Sequence, residues 1–490
     1  MRRTILALSA LALMGGCNPD DFGSALDKAP VQYIGEPSGF ATNVGRTLLP
    51  LAPPTDKPKV AARLLFAGTD APSLAVADFN GDGNPQVQLA SSDELGALGL
   101  SSDVSKNGIS SAAWLSPAGP IILGMPNVFP DPQGQGTPPG RVAFLNLPAD
   151  ASGKVAFQYA RIWQDGVSTD GAPSTQPRGH FGLAVARGQV TQGTTDEAIV
   201  VADNGVSVVS VTSGLSASST CTGALATPPD LHRSLAVANF LSGGNQEIAV
   251  GLPVKGKAGQ VFILQYGIDP ANPTLPAGLF CARKFGVPNS VGNAAVGGFG
   301  TALAAVPHGA GLADLVVGAP PNQVYLVYGD GRTPKVFTNK AQLDPISRKP
   351  ELDPNTGNSE PDNNNDSEFG QRVALVDIDG DGTQELAVTA LQADVGGTPK
   401  AGKVYVYKLD GDGTTPIAVV YDSNPIANTG YFGIGLAELE FNSSLACAPK
   451  GKDAHVLVVG DDLGIFTFFR FAGTLDLTKP IASDPRCFAQ

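Results

Sequence analysis

The residues best suited to chemistry in this chain are the acids of the segment DIDGDGTQELAV, residues 377–388. They alternate with other residues around a glycine, so their carboxylates and a backbone carbonyl can converge on one hard cation. Four acids in one short loop would also repel one another without a counter-ion. We therefore predict a calcium site here, the alternative being an Asx or glycine turn with solvated carboxylates. The candidate ligands are Asp377, Asp379, Asp381, the backbone carbonyl of Thr383, and Glu385.

The spacing of this segment excludes a calcium-binding helix pair. An EF-hand loop needs a bidentate glutamate at its twelfth position, where this segment has Val388 within an apolar run. The loop is therefore predicted to join two strands of a hairpin.

A second loop, at residues 78–86, has the same spacing but fewer charges. It holds two carboxylates instead of four, and because the number of charged ligands tunes calcium affinity, we expect a weaker calcium site there. The candidate ligands are Asp78, Asn80, Asp82, the backbone carbonyl of Asn84, and Gln86. A thinner version of the pattern, with Asn239, Asn245 and Glu247, is interpreted as a plain turn.

The composition favours many turns over long helices. Glycine (60) and proline (40) make up 100 of the 490 residues, well above their usual share of roughly 12%. Hydrophobic residues at 42% and charged residues at 16% allow a buried core and argue against disorder. The net charge of −13 argues against nucleic acid as a partner, because phosphate binding needs a basic surface.

One pattern recurs seven times along the chain. Each copy has a short apolar strand, a polar loop, a second apolar strand and, after a spacer, a third strand; a fourth often follows, as at 416–423. The copies begin with APSLAVADFNGDGNPQVQLA (71–90), ISSAAWLSPAGPIILGMP (109–126), HFGLAVARGQVTQGTTDEAIVVA (180–202), RSLAVANFLSGGNQEIAVGLP (233–253), GFGTALAAVPHGAGLADLVVGAP (298–320), FGQRVALVDIDGDGTQELAVTA (369–390) and YFGIGLAELEFNSSLACAPKGKDAHVLVVG (431–460).

These copies predict an all-β fold, a seven-bladed β-propeller of four-stranded antiparallel blades. Apolar runs such as LADLVVGAP indicate strands that are covered on both faces. Sheets stacked around a ring cover every face and leave only short edges. Two or three separate sandwiches are the alternative, but the copies recur without a break in composition.

Short motifs in the copies resemble those of FG-GAP repeats, the blades of the integrin α-subunit propeller and of many bacterial surface proteins. The resemblance covers about residues 60–475 and implies a propeller domain at 61–490. It also implies calcium loops of the form D-x-D-x-D-G-x-x-D/E, from which Gln86 departs, and ligand binding at the opposite face. The motifs are FG at 181–182, 299–300, 369–370 and 432–433, GAP at 318–320, GLP at 251–253 and GMP at 124–126.

The N-terminus is predicted to be a lipoprotein signal peptide, residues 1–16. Arg2 and Arg3 precede a short apolar stretch, and LMGGC at Cys17 resembles a bacterial lipobox. We therefore predict lipidation of Cys17 and a membrane anchor in the cell envelope, with an ordinary signal peptide as the alternative. The residue after Cys17 is Asn18 and not the aspartate that retains some bacterial lipoproteins at the inner membrane, which favours the outer membrane. Residues 17–60 are interpreted as a tether with a strand that closes the ring.

Four further cysteines indicate two disulfides in an oxidising compartment. Three connectivities are open, of which we favour Cys221–Cys281 and Cys447–Cys487. The chain contains no CxxC motif, which argues against redox catalysis and a cysteine zinc site.

The sequence contains no catalytic motif that we recognise, so we expect a non-enzyme. Its histidines stand alone in the sequence, at His180, His232, His308 and His455. Trp114 and Trp163 could form a carbohydrate platform, but blade packing is favoured. We expect a lipid-anchored, calcium-binding module that binds a protein or glycan at the cell surface. The alternatives are a propeller hydrolase or lyase acting on polysaccharide or lipid, and a structural component of an envelope assembly.

Overall fold

The fold was analysed in a computed structural model of the chain. The residues that the structure describes are 32–34, 44–52, 60–68, 73–80, 85–98, 108–116, 119–126, 140–148, 155–164, 180–191, 195–203, 205–210, 214–219, 234–241, 244–254, 257–287, 298–308, 311–339, 367–378, 382–395, 398–410, 413–414, 416–421, 431–441, 454–461 and 466–470. The predicted signal peptide and Cys17 lie outside them. Within the described part, no helix has the length and apolar character needed to cross a membrane.

The described residues form seven four-stranded antiparallel sheets, here called blades 1 to 7. Blade 1 contains β2 (Thr47–Leu51), β3 (Val60–Ala67), β4 (Leu74–Asn80) and β5 (Pro85–Leu89). Blade 2 contains β6 (Ser111–Trp114), β7 (Ile121–Met125), β8 (Arg141–Asn146) and β9 (Gln158–Gln164). Blade 3 contains β10 (Ala184–Gly188), β11 (Glu197–Ala202), β12 (Gly205–Ser210) and β13 (Gly214–Ser219).

The remaining blades continue in chain order. Blade 4 contains β14 (Leu235–Ala238), β15 (Glu247–Val254), β16 (Lys257–Gly267) and β17 (Gly278–Phe285). Blade 5 contains β18 (Leu303–Val306), β19 (Asp314–Ala319), β20 (Gln323–Val327) and β21 (Lys335–Thr338). Blade 6 contains β22 (Phe369–Val376), β23 (Glu385–Ala390), β24 (Lys403–Lys408) and β25 (Ala418–Val420). Blade 7 contains β26 (Gly435–Phe441), β27 (Ala454–Gly460), β28 (Phe466–Arg470) and β1 (Gln32–Ile34). A short helix, α1 (Ser92–Ala97), follows blade 1 and a 3₁₀ helix (Val44–Arg46) precedes it.

The blades are arranged in a ring. The innermost strands β2, β6, β10, β14, β18, β22 and β26 each contact the next in this order, and β26 contacts β2. The structure therefore confirms an all-β propeller with four-stranded antiparallel blades.

The ring is closed by strands from the two ends of the chain. The N-terminal β1 pairs antiparallel with β28 and completes blade 7, with Tyr33 opposite Thr467. Strand β2, at Thr47–Leu51, is the innermost strand of blade 1. The propeller therefore begins before residue 61, within the segment that the sequence analysis assigned to the tether.

One repeat copy was placed wrongly by the sequence. Residues 71–90 were read as the first two strands of a copy, but they form β4 and β5, the third and fourth strands of blade 1. The other six copies supply the first and second strands of their blades, as predicted. The copy at 71–90 is displaced because the preceding strands, at 47–51 and 60–67, already occupy the two inner positions of blade 1.

The apolar strands are buried because each blade covers its neighbours. Strands β11, β19 and β23 are buried at all six positions. Between the first and last blades, Phe66 and Phe79 pack in one cluster with Leu439 and Val458. Each fully buried side chain of this kind contributes about 1.5–3 kcal/mol, so the interfaces between blades supply much of the stability.

Antiparallel pairing gives the propeller two distinct faces. The first loop of every blade and the third loop of blades 1 to 6 lie at one end of the strands, here called the hairpin face. The second loops and the connections between blades lie at the other end, here called the glycine face. The FG and GAP motifs lie on the glycine face, and the predicted calcium loops lie on the hairpin face.

Neighbouring blades touch through glycine backbone on the glycine face. A Cβ placed on Gly318, of the GAP motif, would lie 2.2 Å from the carbonyl oxygen of Gly370, of the next FG motif. Gly251, of the GLP motif, contacts the carbonyl oxygen of Gly300 in the same way, and Gly124, of the GMP motif, contacts that of Gly182. At the ring closure, a Cβ on Gly460 would lie 2.3 Å from the carbonyl oxygen of Gly45. A side chain at these sites would push the blades apart.

The predicted disulfides are only partly within the described residues. Cys281 on β17 is disulfide-bonded, whereas Cys221, Cys447 and Cys487 lie outside the described residues. Strand β13 ends at Ser219 and contacts β17, so Cys221 remains the expected partner. The pairing of Cys447 with Cys487 stays a prediction.

We predict that Gly318→Ala destabilises the propeller, because its methyl group would collide with the carbonyl of Gly370. Overpacking of this kind costs about 1–3 kcal/mol, so the melting temperature should fall. Gly413→Ala is the matched control, since a Cβ there meets no atom within 4 Å. Equal melting temperatures for the two variants would contradict the proposed close contact.

Candidate metal centre

The predicted calcium loop joins β22 to β23 in blade 6. Val376 and Glu385 are cross-strand partners, so the pairing holds Asp377 and Glu385 together at the base of the loop. Asp377 is 9% exposed and Glu385 is 1% exposed. Two carboxylates this deeply buried in one hairpin need compensating partners.

Both carboxylates accept hydrogen bonds from the loop backbone. The N–H of Gly382 donates to Asp377 Oδ2 at 2.9 Å, and the N–H of Ile378 donates to Glu385 Oε2 at 3.2 Å. Gly382 has a φ of +87°, a conformation that glycine adopts at little cost. These contacts tie the described ends of the loop to the two acids.

The described part of the loop fits a hard cation without completing its ligand set. Asp379 and Asp381 lie outside the described residues, and Thr383 is exposed. Within the described residues, no group of three or more His, Cys, Asp or Glu side chains could hold a metal. The two acids that are described offer oxygen ligands, which calcium prefers, and calcium itself stays a prediction.

The second predicted loop uses its first acid differently. Asp78 is 3% exposed and binds Arg63 with both oxygens, Oδ1 to Nε at 2.5 Å and Oδ2 to Nη2 at 2.9 Å. The bidentate arginine neutralises this carboxylate, which makes it a poor cation ligand. Asp78 is thus paired with Arg63 in this structure, and its role as a calcium ligand stays a prediction.

The other predicted ligands of this loop are not brought to a site in the described residues. Gln86 is exposed on β5, and Asn80 is the last residue of β4. Asp82 and Asn84 lie outside the described residues. A calcium site in this loop therefore stays a prediction.

Four blades share a buried acid at one position of the repeat, and the sequence pattern drew attention to two of them, Glu247 and Glu385. The acid is the first residue of the second strand, directly before an apolar run, and this pattern could have been read from the sequence. We call these residues the staple acids: Glu197, Glu247, Asp314 and Glu385.

Each staple acid binds a different set of partners. Glu197 accepts hydrogen bonds from the backbone N–H and the hydroxyl of Thr191, at 2.9 and 2.6 Å. Asp314 lies 2.7 Å from Nε2 of His308 and accepts the N–H of Gly329 at 2.8 Å. The staple position therefore serves loop geometry in several blades, whether or not a metal is present.

In blade 4 the staple acid is the most deeply buried of the four. Glu247 is 0% exposed, and its Oε2 accepts the N–H groups of Phe240 and Leu241 at 2.8 and 2.9 Å. Its Oε1, like Oδ1 of Asn239, is buried without a hydrogen-bond partner among the described residues. Burial raises the pKa of Glu247, and the backbone hydrogen bonds offset part of that rise.

The described histidines are paired with acids, in contrast to their isolated positions in the sequence. Nδ1 of His180 lies 2.7 Å from Asp203, and Nδ1 of His455 lies 2.6 Å from Glu438. His308 pairs with its staple acid. His232 lies outside the described residues. These imidazoles thus have structural hydrogen-bond partners.

Comparison with known proteins agrees with the geometry of blade 6. The FG-GAP repeat matches residues 369–407, which run from the start of β22 into β24 and include the predicted calcium loop. A search of curated proteins found no match. The chain is therefore a β-propeller of four-stranded blades with an FG-GAP repeat in blade 6.

We predict that the stability of the chain depends on pH through Glu247. Since the folded state raises its pKa, the folded state keeps the proton at pH values where the unfolded state has lost it. Stability contributed by this proton is therefore lost as the pH rises from a glutamate's ordinary value, roughly 4.3, through the raised one.

The test compares urea unfolding of wild type and Glu247→Gln across this pH range. The glutamine keeps the shape and removes the titration, so the stability of wild type relative to the variant should fall as the pH rises. Glu197→Gln, a staple acid with a hydroxyl partner, is the matched control. Parallel pH profiles for wild type and Glu247→Gln would contradict this role.

Proposed function

We propose that this chain is a calcium-stabilised, lipid-anchored β-propeller that binds a protein or glycan partner in the cell envelope. The observation that carries the proposal is the blade 6 loop, where Asp377 and Glu385 are buried side by side within an FG-GAP match. A divalent ion bound to this loop would offset the charges of its acids. The metal would stiffen the hairpin and thereby support neighbouring loops of the hairpin face.

The proposed location rests on the N-terminal sequence and on cysteine chemistry. Lipidation at Cys17 would anchor the propeller through the tether, and more than one acyl chain is needed for a stable anchor. The disulfide at Cys281 supports export, because disulfides persist in oxidising compartments such as the bacterial periplasm and the cell surface. We place the anchor in the outer membrane, as the residue after Cys17 favours.

The proposed role is binding without catalysis. A propeller holds many loops on one rigid ring, and binding residues are commonly found on loops that a rigid scaffold positions. The acid-paired histidines described above serve loop contacts, and none is accompanied by a recognisable nucleophile motif. The function proposed is therefore adhesion or capture at the envelope.

Calcium binding is tested by titration calorimetry and thermal unfolding. Wild type should bind calcium and melt at a higher temperature when calcium is present. At a calcium concentration one hundred times the dissociation constant, the free energy of unfolding should rise by about 2.7 kcal/mol. Asp381→Asn should weaken binding strongly. Asp82→Asn, the matched substitution in the loop of blade 1, should change the titration little, because Arg63 already neutralises Asp78. A flat titration of wild type at millimolar calcium would refute the metal centre.

Lipid anchoring is tested by fractionation of cells that express the full chain. Wild type should appear in the outer-membrane fraction and incorporate a labelled fatty acid, and Cys17→Ala should do neither. Cys281→Ser, which removes another cysteine but not the lipid site, is the control for nonspecific labelling. Membrane retention and labelling of Cys17→Ala would overturn the anchor.

A further inference from the structure

Three large hydrophobic side chains are exposed in the part of the chain that the structure describes, and two of them lie in one loop. Ile268 and Leu275 are each 58% exposed, and Leu89 is 37% exposed. Single exposed apolar residues are common on protein surfaces, whereas grouped ones mark sites of interaction. The loop at residues 268–277, which joins β16 to β17 in blade 4, is here called the apolar knob.

The apolar knob projects beyond the rest of its blade. Strand β16 pairs with β15 as far as Leu264, opposite Ile248, but its pairing with β17 continues as far as Gly267, opposite Gly278. The end of this hairpin therefore extends past the second strand of the blade. As the third loop of blade 4, the apolar knob lies on the hairpin face.

The conformation of the apolar knob is set before any partner binds. Prolines fix φ at three of its positions: Pro270, Pro273 and Pro276. Asp269 Oδ1 accepts the backbone N–H of Ala271 at 2.9 Å, and the N–H of Leu275 donates to the carbonyl oxygen of Asn272 at 3.1 Å. Binding through a loop that is already ordered costs less conformational entropy than binding through a disordered one.

The N-terminal segment joins the propeller from the same face. In blade 7, β26 runs toward the hairpin face, and the antiparallel pairing makes β28 run the same way and β1 the opposite way. The chain therefore enters β1 at Gln32 from the hairpin face and leaves it at Ile34 toward the glycine face. Whatever precedes Gln32 in the chain is attached at the hairpin face.

The predicted lipid site lies a short distance along the chain from this point. Residues 18–31 separate Cys17 from Gln32, and a segment of this length reaches at most about 50 Å when fully extended. A lipid on Cys17 would thus keep the hairpin face close to the membrane at blade 7. Blade 4 is three blades away from blade 7 in one direction and four in the other, so the apolar knob lies across the ring from the attachment.

We propose that the apolar knob inserts into the surface of the lipid bilayer that holds the anchor, an inference that rests on the proposed lipid anchoring. Two apolar side chains are too few to hold a protein at a membrane, since even one myristoyl chain binds only marginally. They are enough to orient a chain that is already tethered, because the tether raises their effective concentration at the bilayer. An attachment at blade 7 and a contact at blade 4 turn the hairpin face toward the membrane.

The charges of the chain indicate that this contact is apolar. Asp269 is the one charged residue of the apolar knob, and the whole chain has a net charge of −13. Attraction to anionic lipid needs basic residues near the membrane surface, so insertion should depend on Ile268 and Leu275 and not on lipid charge. The glycine face then points away from the membrane, where a partner can reach it.

The test places a tryptophan on the apolar knob and measures its quenching by brominated phospholipids. The full lipidated chain with Leu275→Trp is reconstituted into phosphatidylcholine vesicles with and without bromine on the acyl chains. Inserted apolar groups reach roughly 5–10 Å into the boundary of headgroups and acyl chains, so bromine should lower the emission added by this tryptophan about twofold. Wild type supplies the background of the two native tryptophans. Pro399→Trp is the matched control, exposed on the second loop of blade 6 and hence on the glycine face, and its added emission should not change.

A second substitution and the vesicle composition separate the possible outcomes. Ile268→Ser in the Leu275→Trp protein should reduce the quenching without lowering the melting temperature, because Ile268 is exposed. Adding phosphatidylglycerol to the vesicles should not increase it. A Leu275→Trp chain that sediments with the vesicles but is quenched no more than Pro399→Trp would overturn the membrane contact, as expected if the apolar knob docks on a protein, and leave the anchor standing. A full chain that does not sediment with the vesicles would overturn both.

Discussion

The structure depends on one steric constraint, the direct contact of glycine backbone between neighbouring blades. The carbonyl oxygen of Gly370 lies where a Cβ of Gly318 would be, and Gly45 stands against Gly460 in the same way where the ring closes. Only glycine allows the blades to approach this closely. The FG and GAP motifs recur because they set the spacing of the ring. Sequence is restricted on the glycine face, whereas the loops on the hairpin face are not subject to this contact.

The hairpin face has its own recurring requirement, the buried staple acid. A buried carboxylate must be matched by hydrogen bonds or opposite charge. Blade 3 supplies a hydroxyl from Thr191, blade 5 supplies His308, and blade 4 supplies two backbone N–H groups to Glu247. Blade 6 instead adds further acids to the same loop. A calcium ion in blade 6 would thus be one of several ways in which these blades compensate the buried carboxylate of the staple acid.

Much of the fold could be predicted from the sequence because burial on both faces leaves apolar runs that recur with the repeat. The exception was the copy at 71–90, since a hairpin between third and fourth strands has the same local pattern as one between first and second strands. The role of Asp78 was also beyond the sequence, because its partner Arg63 lies on another strand and their register depends on the whole sheet. The sequence shows each staple acid directly before an apolar strand. Their role in loop geometry could not be predicted from it, because that role depends on their burial.

The two faces of the propeller differ in how strongly their sequence is restricted. The glycine contacts cannot change without altering the distance between blades, so the positions that form them offer little freedom. On the hairpin face, the interface between blades 1 and 2 ends in an open cavity, and Arg63, the one charged residue among its described lining, is neutralised by Asp78. The segment that resembled a second calcium loop contributes instead a salt bridge at the edge of that cavity. The departure of blade 1 from the repeat pattern therefore also places a neutralised arginine at the cavity.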